Sequence, residues 1–520
     1  MSSTSIFRLS SRKAFLDFYG PSQAPEPTDT EGKRKDVLEF CQKFYGPESV
    51  SQKRTPAVRE ALLQMFGDSE NGGLWRREEC NPSGMTLRAF HKSLVASALE
   101  LWGGDGEGDM LNERDAVGGE VGSSEPDTDT PVERSAAWCR SILAHAFLMN
   151  IARDPVRERK NPGNEGGLML GRLMLADRES GTHKVLCLIQ YFLSTLVPEG
   201  EGEGHEEKAE ELKERQILFQ KVSLDTETFM EKTPEWDENR FAFPGRPPLD
   251  LTTSSMEDPE AAAFVNFANQ NFGYGKITEG CTQEEIMQLC CPEFNVGMLF
   301  FGLMEDDCVV MCHGAKRFSS YTGYGRGFKF SGPVRGGASS SGRVVAPYRQ
   351  SIITMDAVFM RHCAFEKNVR DTKKATLAFR EMRRWFLENE ERSNGGVVTI
   401  STGKWGCGAF LGDPLHKFLQ QYVAGLLTGV RLRFSLFGED KERADCEAIA
   451  RACSELTARS VWAVVLQIRP QMSREAIVQL LEAARGQGNA TGGEGAAEGK
   501  GKRWKTRDAS GPNNSPCEEV

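Results

Sequence analysis

The chain has 520 residues, 53 of them glycine, and a formal net charge of −10. That length is enough for two to four domains with ample core, so neither disulfides nor a structural metal is required. The longest strongly apolar run, 296–304, is far short of the ~20 residues that span a bilayer, and the acidic balance argues against a general nucleic-acid coat.

In chain order, residues 1–18 are Ser-rich and carry Arg8, Arg12 and Lys13 before the first acid, Asp17; this is a weak organelle-transit pattern or simply a polar terminus. Residues 58–66, 135–150 and 183–196 show helical spacing, with Val185, Leu188, Ile189 and Phe192 on one stripe of the last and Pro198 after its end, so the first ~200 residues are mainly α. Three stretches, 103–134, 198–214 and 486–520, are rich in glycine or acids, cannot bury enough apolar surface to offset ordering, and read as loops or disorder; the second ends in a charged helical pattern. From residue 216 the period changes. Strands are expected at 216–222, 264–267, 298–303, 352–355, 397–401 and 431–436, and helices at 283–290, 373–388, 414–427 and 441–458. Alternating strands and helices predict an α/β layered sheet with ligands at the strand carboxyl ends. The expected domains are a diverged, partly helical region 1–134, a helical accessory domain 135–215, an α/β domain 216–485 and a tail 486–520. In that tail Lys500, Lys502, Arg503, Lys505 and Arg507 form a basic cluster of the nuclear-import kind.

Fourteen scattered cysteines read as reduced, mostly buried thiols of a cytosolic or nuclear protein. Cys308, Cys312 and His313 cluster in an apolar stretch but lack a fourth ligand at zinc-like spacing, so no metal is expected there.

The most informative window is 264–294. A β-run passes through polar Asn266 and Asn269 into a loop with Gly273, Gly275 and Gly280, and then into a helix opened by Gln283, Glu284 and Glu285. Strand, glycine loop and helix start is an arrangement in which backbone N–H groups can approach a phosphate. Adjacent carboxylates there would repel an anion unless one is protonated or aimed at another part of the ligand. Thr282 to Glu285 also fits a capping box, which needs no ligand at all. A general acid would require a carboxyl kept protonated by burial or by a like charge beside it, and Glu284 can provide that charge for Glu285. Residues 397–413 repeat the logic, with Gly403, Gly406, Gly408 and Gly412 around Trp405 and Phe410, and 321–328 sets aromatics among glycines in an expected loop.

Together these windows resemble the poly(ADP-ribose) glycohydrolase family over roughly residues 135–440. The family's GGG loop followed by QEE corresponds to Gly273-Tyr274-Gly275 and Gln283-Glu284-Glu285; its TGNWGCGAF stretch is similar to residues 402–410, its YTGY loop to 321–324 and its FTFGD strand end to 434–440. The resemblance implies a macrodomain-like mixed sheet flanked by helices, preceded by a mainly helical accessory domain. It implies hydrolysis of ribose–ribose O-glycosidic bonds, release of ADP-ribose, and a place in the DNA damage response in nucleus or cytoplasm. By position Glu285 would be the general acid/base, Glu284 and Asn269 would orient the ribose, and Asn266 and Gln283 would also contact substrate. Gly273, Gly275, Gly408, Ala409 and Phe410 would line the diphosphate, Tyr324 and Phe437 would pack on the ligand, and Glu257 would reach the adenine. The resemblance implies no cofactor, no metal and no membrane; the partners are the polymer or ADP-ribosylated proteins, without sequence-specific nucleic-acid binding, and the chain is expected to be a monomer. Three positions depart from the family pattern: Asn266 stands for an Asp, Tyr274 for the middle glycine and Lys404 for an Asn. The alternative is a catalytically weak macrodomain that reads ADP-ribose or its polymer.

The charge arithmetic favours a polyanionic ligand. Residues 103–134 carry −8 and 198–214 carry −6, which leaves the rest of the chain at +4.

Overall fold

The computed structural model describes residues 7–9, 12–20, 26–67, 74–102, 120–121, 131–152, 168–196, 205–223, 249–257, 261–273, 280–301, 303–335, 348–389, 397–437, 440–454 and 456–490. A small antiparallel sheet joins β1 (Phe7–Leu9), β2 (Glu120–Val121) and β4 (Ile151–Ala152). The main sheet has eight strands: β3 (Val132–Ser135), β5 (Gln216–Ser223), β6 (Leu249–Thr252), β7 (Ala263–Ala268), β8 (Cys308–Arg317), β11 (Tyr348–Asp356), β12 (Thr399–Gly403) and β13 (Arg431–Ser435). Their order is β3-β5-β8-β11-β7-β12-β13-β6. The four pairs from β11 to β6 are parallel and the three from β3 to β11 antiparallel, which is the mixed sheet flanked by helices that the family resemblance implies.

Alternation along the strands separates two apolar layers. Phe264, Cys312 and Ile352 join the cluster that holds the helices Ala57–Phe66, Ala136–Phe147 and Glu179–Thr195, together with the Gln283–Cys290 helix. Val265, Met311 and Ile353 face the other layer, built from Phe365–Asn389, Pro414–Thr428 and the C-terminal helices. The helical N-terminal half is therefore one cover of the sheet. The period-2 rule also separates Cys312 from His313: the histidine lies on the opposite face, its ring stacked on Trp385 at 3.8 Å and its Nδ1 3.1 Å from Ser351 Oγ.

The helix Pro414–Thr428 shows why local signals work. Asp413 accepts from the His416 N–H at 2.9 Å, Pro414 occupies the first turn, and Gly429 ends the helix at φ 68° with its N–H on the Gly425 carbonyl.

Several expectations are corrected. The described residues of 298–303 form no long strand: the run Pro292–Leu299 is a 3₁₀ segment buried on every side, and a short apolar run carries no period that separates the two. The expected helix 441–458 is two, Asp440–Cys453 and Ala458–Val465, and 373–388 belongs to the longer Phe365–Asn389. Helix His205–Glu214 is the charged helical pattern expected at the end of the second stretch, whereas helix Arg474–Ala490 runs into the expected tail. The expected loop at 321–328 is the corner of a hairpin between β9 (Ser319–Thr322) and β10 (Lys329–Pro333). Residues 1–6, 103–119 and 491–520, with the basic cluster, lie outside the described residues.

Candidate active site

A cleft of about 510 Å³ opens at the carboxyl ends of the parallel strands. Each strand supplies its following turn: Glu257 after β6, Asn269 after β7, Ala357 after β11, residues 404–410 after β12 and Phe437 after β13. The helix Gln283–Cys290 starts at the floor. This is the place where open α/β sheets bind ligands.

Glu285 is buried, and its Oε2 accepts from the backbone N–H (2.7 Å) and the hydroxyl (2.6 Å) of Thr282, the N-cap. The capping reading of this motif is thus fulfilled, and the same carboxylate still lines the cleft. Glu284 sits differently. One oxygen accepts from the Asn269 N–H at 3.2 Å, while Oε1 is buried with no partner among the described residues. Burial, reinforced by the charges of Glu285 and Asp356, pushes its carboxyl well above the usual carboxylate range. Two neighbouring acids therefore have distinct environments.

Gln283, expected to contact substrate, lines the cleft while its amide is held by the sheet. Its Oε1 accepts from the Phe267 N–H at 2.8 Å and its Nε2 donates to the Val265 carbonyl at 3.1 Å, which fixes the helix start against the end of β7. Asn269 faces the cleft, and its Oδ1 closes a turn by accepting from the Asn271 N–H at 3.0 Å. Asn266 does not line the cleft: it is fully buried in β7, with neither side-chain polar atom partnered among the described residues. Gly273 also lies outside the lining; its carbonyl is 3.5 Å from Gln288 Nε2. Tyr274 and Gly275 fall outside the described residues.

At the opposite wall, Gly406 takes φ 75°, and the loop folds back with Gly412 N–H on the Gly406 carbonyl (2.9 Å) and Leu411 N–H on that of Gly408 (3.0 Å). Gly408, Ala409 and Phe410 then border the cleft. Underneath, Trp405 is fully buried, donates to the Met355 carbonyl at 3.1 Å and carries Lys417 Nζ over its ring at 4.6 Å. Lys417 in turn pairs with buried Asp371. Lys404 pairs with Glu442 at 3.1 Å. Glu257 is buried and accepts from Tyr321 Oη at 3.2 Å, and Tyr348 Oη donates to its backbone carbonyl at 3.3 Å. Tyr324 and Phe437 are half-exposed, their rings 6.0 Å apart across the mouth.

The sequence reading missed Lys184. It lies on the buried Glu179–Thr195 helix, and its Nζ donates to the carbonyl of Gly280, a cleft residue. A lysine next to the apolar run 185–189 of a helix was the available signal.

Residues 234–444 match the family model described as poly(ADP-ribose) glycohydrolase, macro domain fold. Over that stretch the chain is similar to the poly(ADP-ribose) glycohydrolase family. It is 29% identical over 288 residues to poly(ADP-ribose) glycohydrolase 1 of Caenorhabditis elegans, an alignment covering 54% of this chain and 34% of that protein. It is also 29% identical over 238 residues to poly(ADP-ribose) glycohydrolase 1 of Arabidopsis thaliana, covering 33% of this chain and 42% of that one. The chain thus spans well under half the length of these relatives. The family match encloses all of the cleft described above, from Glu257 to Glu442.

Proposed function

We propose that the chain hydrolyses the ribose–ribose O-glycosidic bond of poly(ADP-ribose) and releases ADP-ribose. The observation that carries this reading is the pair Glu284 and Glu285 at one helix start, held in different environments at the floor of the cleft. The family match supports it.

In this mechanism Glu285 protonates the departing ribose oxygen, and then takes a proton from the water that attacks the oxocarbenium-like carbon. Thr282 engages Oε2 and leaves Oε1 for these transfers. Glu284 and Asn269 orient the ribose. Two sequence neighbours at one helix start cannot flank a sugar from opposite faces, so the two-carboxylate arrangement of ordinary glycosidases does not apply. Backbone N–H groups of 408–410 receive the diphosphate, Glu257 meets the adenine, and Tyr324 with Phe437 closes over it. Glu257 is held ready by Tyr321, so it meets the base without reorganising.

The test is incubation of the purified chain with labelled polymer. ADP-ribose release is expected. Tight polymer binding with no release would overturn the enzyme reading in favour of a polymer reader.

A further inference from the structure

Resting on the proposed polymer hydrolysis, we propose that the segment Phe359-Met360-Arg361, on the rim beyond Phe410, is a second subsite that holds the adjoining nucleoside-diphosphate unit of the chain. The cleft of about 510 Å³ has the dimensions of a single-ligand pocket, so the preceding unit of a bound polymer must lie outside it. The rim next to Phe410 is unusual in two respects. Phe359 is 58% exposed, and its ring meets that of Phe410 edge-on at 5.9 Å, so a cleft wall continues into an open aromatic surface. Met360, Arg361 and neighbouring Leu411 have left-handed backbones (φ 56°, 51° and 62°). With Phe437, which lines the cleft, they make four of the six such non-glycine residues in the described part of the chain. Such backbone persists only when its surroundings over-determine it, and it concentrates at ligand clamps.

The surroundings here do over-determine it. Lys367 Nζ donates to the carbonyls of both Phe359 and Met360, at 2.9 Å each. The Met360 N–H (3.2 Å) and His362 Nε2 (2.7 Å) both donate to the Phe410 carbonyl. The segment is therefore a rigid shelf that holds a large ring and a guanidinium in water. The folding of the chain gains nothing from exposing them. An exposed ring and an exposed guanidinium carried by one short, pinned segment match one chemistry in particular: a base that stacks and a phosphate that pairs. That is the repeating unit of the polymer, and the shelf is continuous with the cleft through Phe410.

The experiment compares two ligands on the same protein preparations: free ADP-ribose, which fills the cleft alone, and defined-length poly(ADP-ribose). Affinities are measured with the Glu285→Gln chain, so that turnover does not interfere, and KM for polymer with the active chain. Adding Phe359→Ala with Arg361→Ala should weaken polymer affinity and raise KM by about 5- to 20-fold, with ADP-ribose affinity unchanged within twofold and kcat held. Phe359→Trp should keep polymer affinity at or above the parent value. Unchanged polymer affinity in the double variant overturns the subsite. An equal loss for both ligands overturns it as well, because the segment would then only shape the diphosphate loop. Absence of turnover in the parent chain would sink the hydrolysis reading, while the ratio of the two affinities would still decide the subsite.

Discussion

Glu284 is a carboxyl with one oxygen accepting from a backbone N–H and the other unpartnered. Its titration in the fold lies well above the usual carboxylate range because burial penalises the charge. Between the unfolded and folded values the native state binds more protons than the unfolded one, so stability falls as pH rises through that window. Glu284→Gln keeps an acceptor for the Asn269 N–H and removes the charge. It should raise Tm by roughly 2–4 °C at pH 8, with the gain vanishing near pH 4, where both proteins are neutral at this position. Thermal scans at the two pH values check this, and a larger gain at the acidic one would contradict it. At this scale the sequence exposed the acids themselves, because a Thr-x-x-Glu pattern before an apolar run marks a helix start. It could not assign Gln283 to the strand backbone or bring Lys184 to Gly280, since both depend on which elements meet in space.

Among elements, the loop after β12 depends on one glycine. Gly406 adopts φ 75°, and a Cβ there would stand 2.6 Å from the Ala357 Cβ. Gly406→Ala must meet a left-handed cost of ~1–2 kcal/mol as well as this overlap. The turn that presents residues 408–410 should shift, and ADP-ribose affinity should fall about tenfold or more by calorimetry while the far-ultraviolet spectrum is kept. The glycines of this loop and the helix expected at 414–427 were legible because Gly, Pro and apolar periodicity act within a few residues of themselves. The edge strand β6, only four residues long, and the 3₁₀ run Pro292–Leu299 were not, because pairing and burial there come from the rest of the fold.

At the scale of the molecule, the sheet is a shared wall. One of its faces is covered by the helical N-terminal half in a single apolar cluster that reaches from Phe15 to Ile352. A buried ion pair seals the junction: Arg215 donates to Glu293 at 2.6 and 2.8 Å, with side-chain exposures of 1% and 0%. Breaking such a pair leaves a buried charge, so Arg215→Met should cost ~3–5 kcal/mol, read as a lower denaturation midpoint. A fragment beginning at residue 216 would expose Phe264, Phe294 and Ile352, and should be recovered only as aggregate. A soluble, cooperatively folding fragment would show that the helical half is dispensable. Alternating periods made the two halves legible in the sequence; that they share one core was not, because an apolar stripe does not name its partner.

The central claim is that Glu285 carries the proton transfers in this cleft, and it meets its most direct test in single-turnover digestion of labelled poly(ADP-ribose) by the parent chain and by Glu285→Gln. The rate of ADP-ribose release should fall by at least ~10²-fold in the variant, with ADP-ribose affinity within threefold of the parent value. Equal release rates in the two proteins would contradict the account.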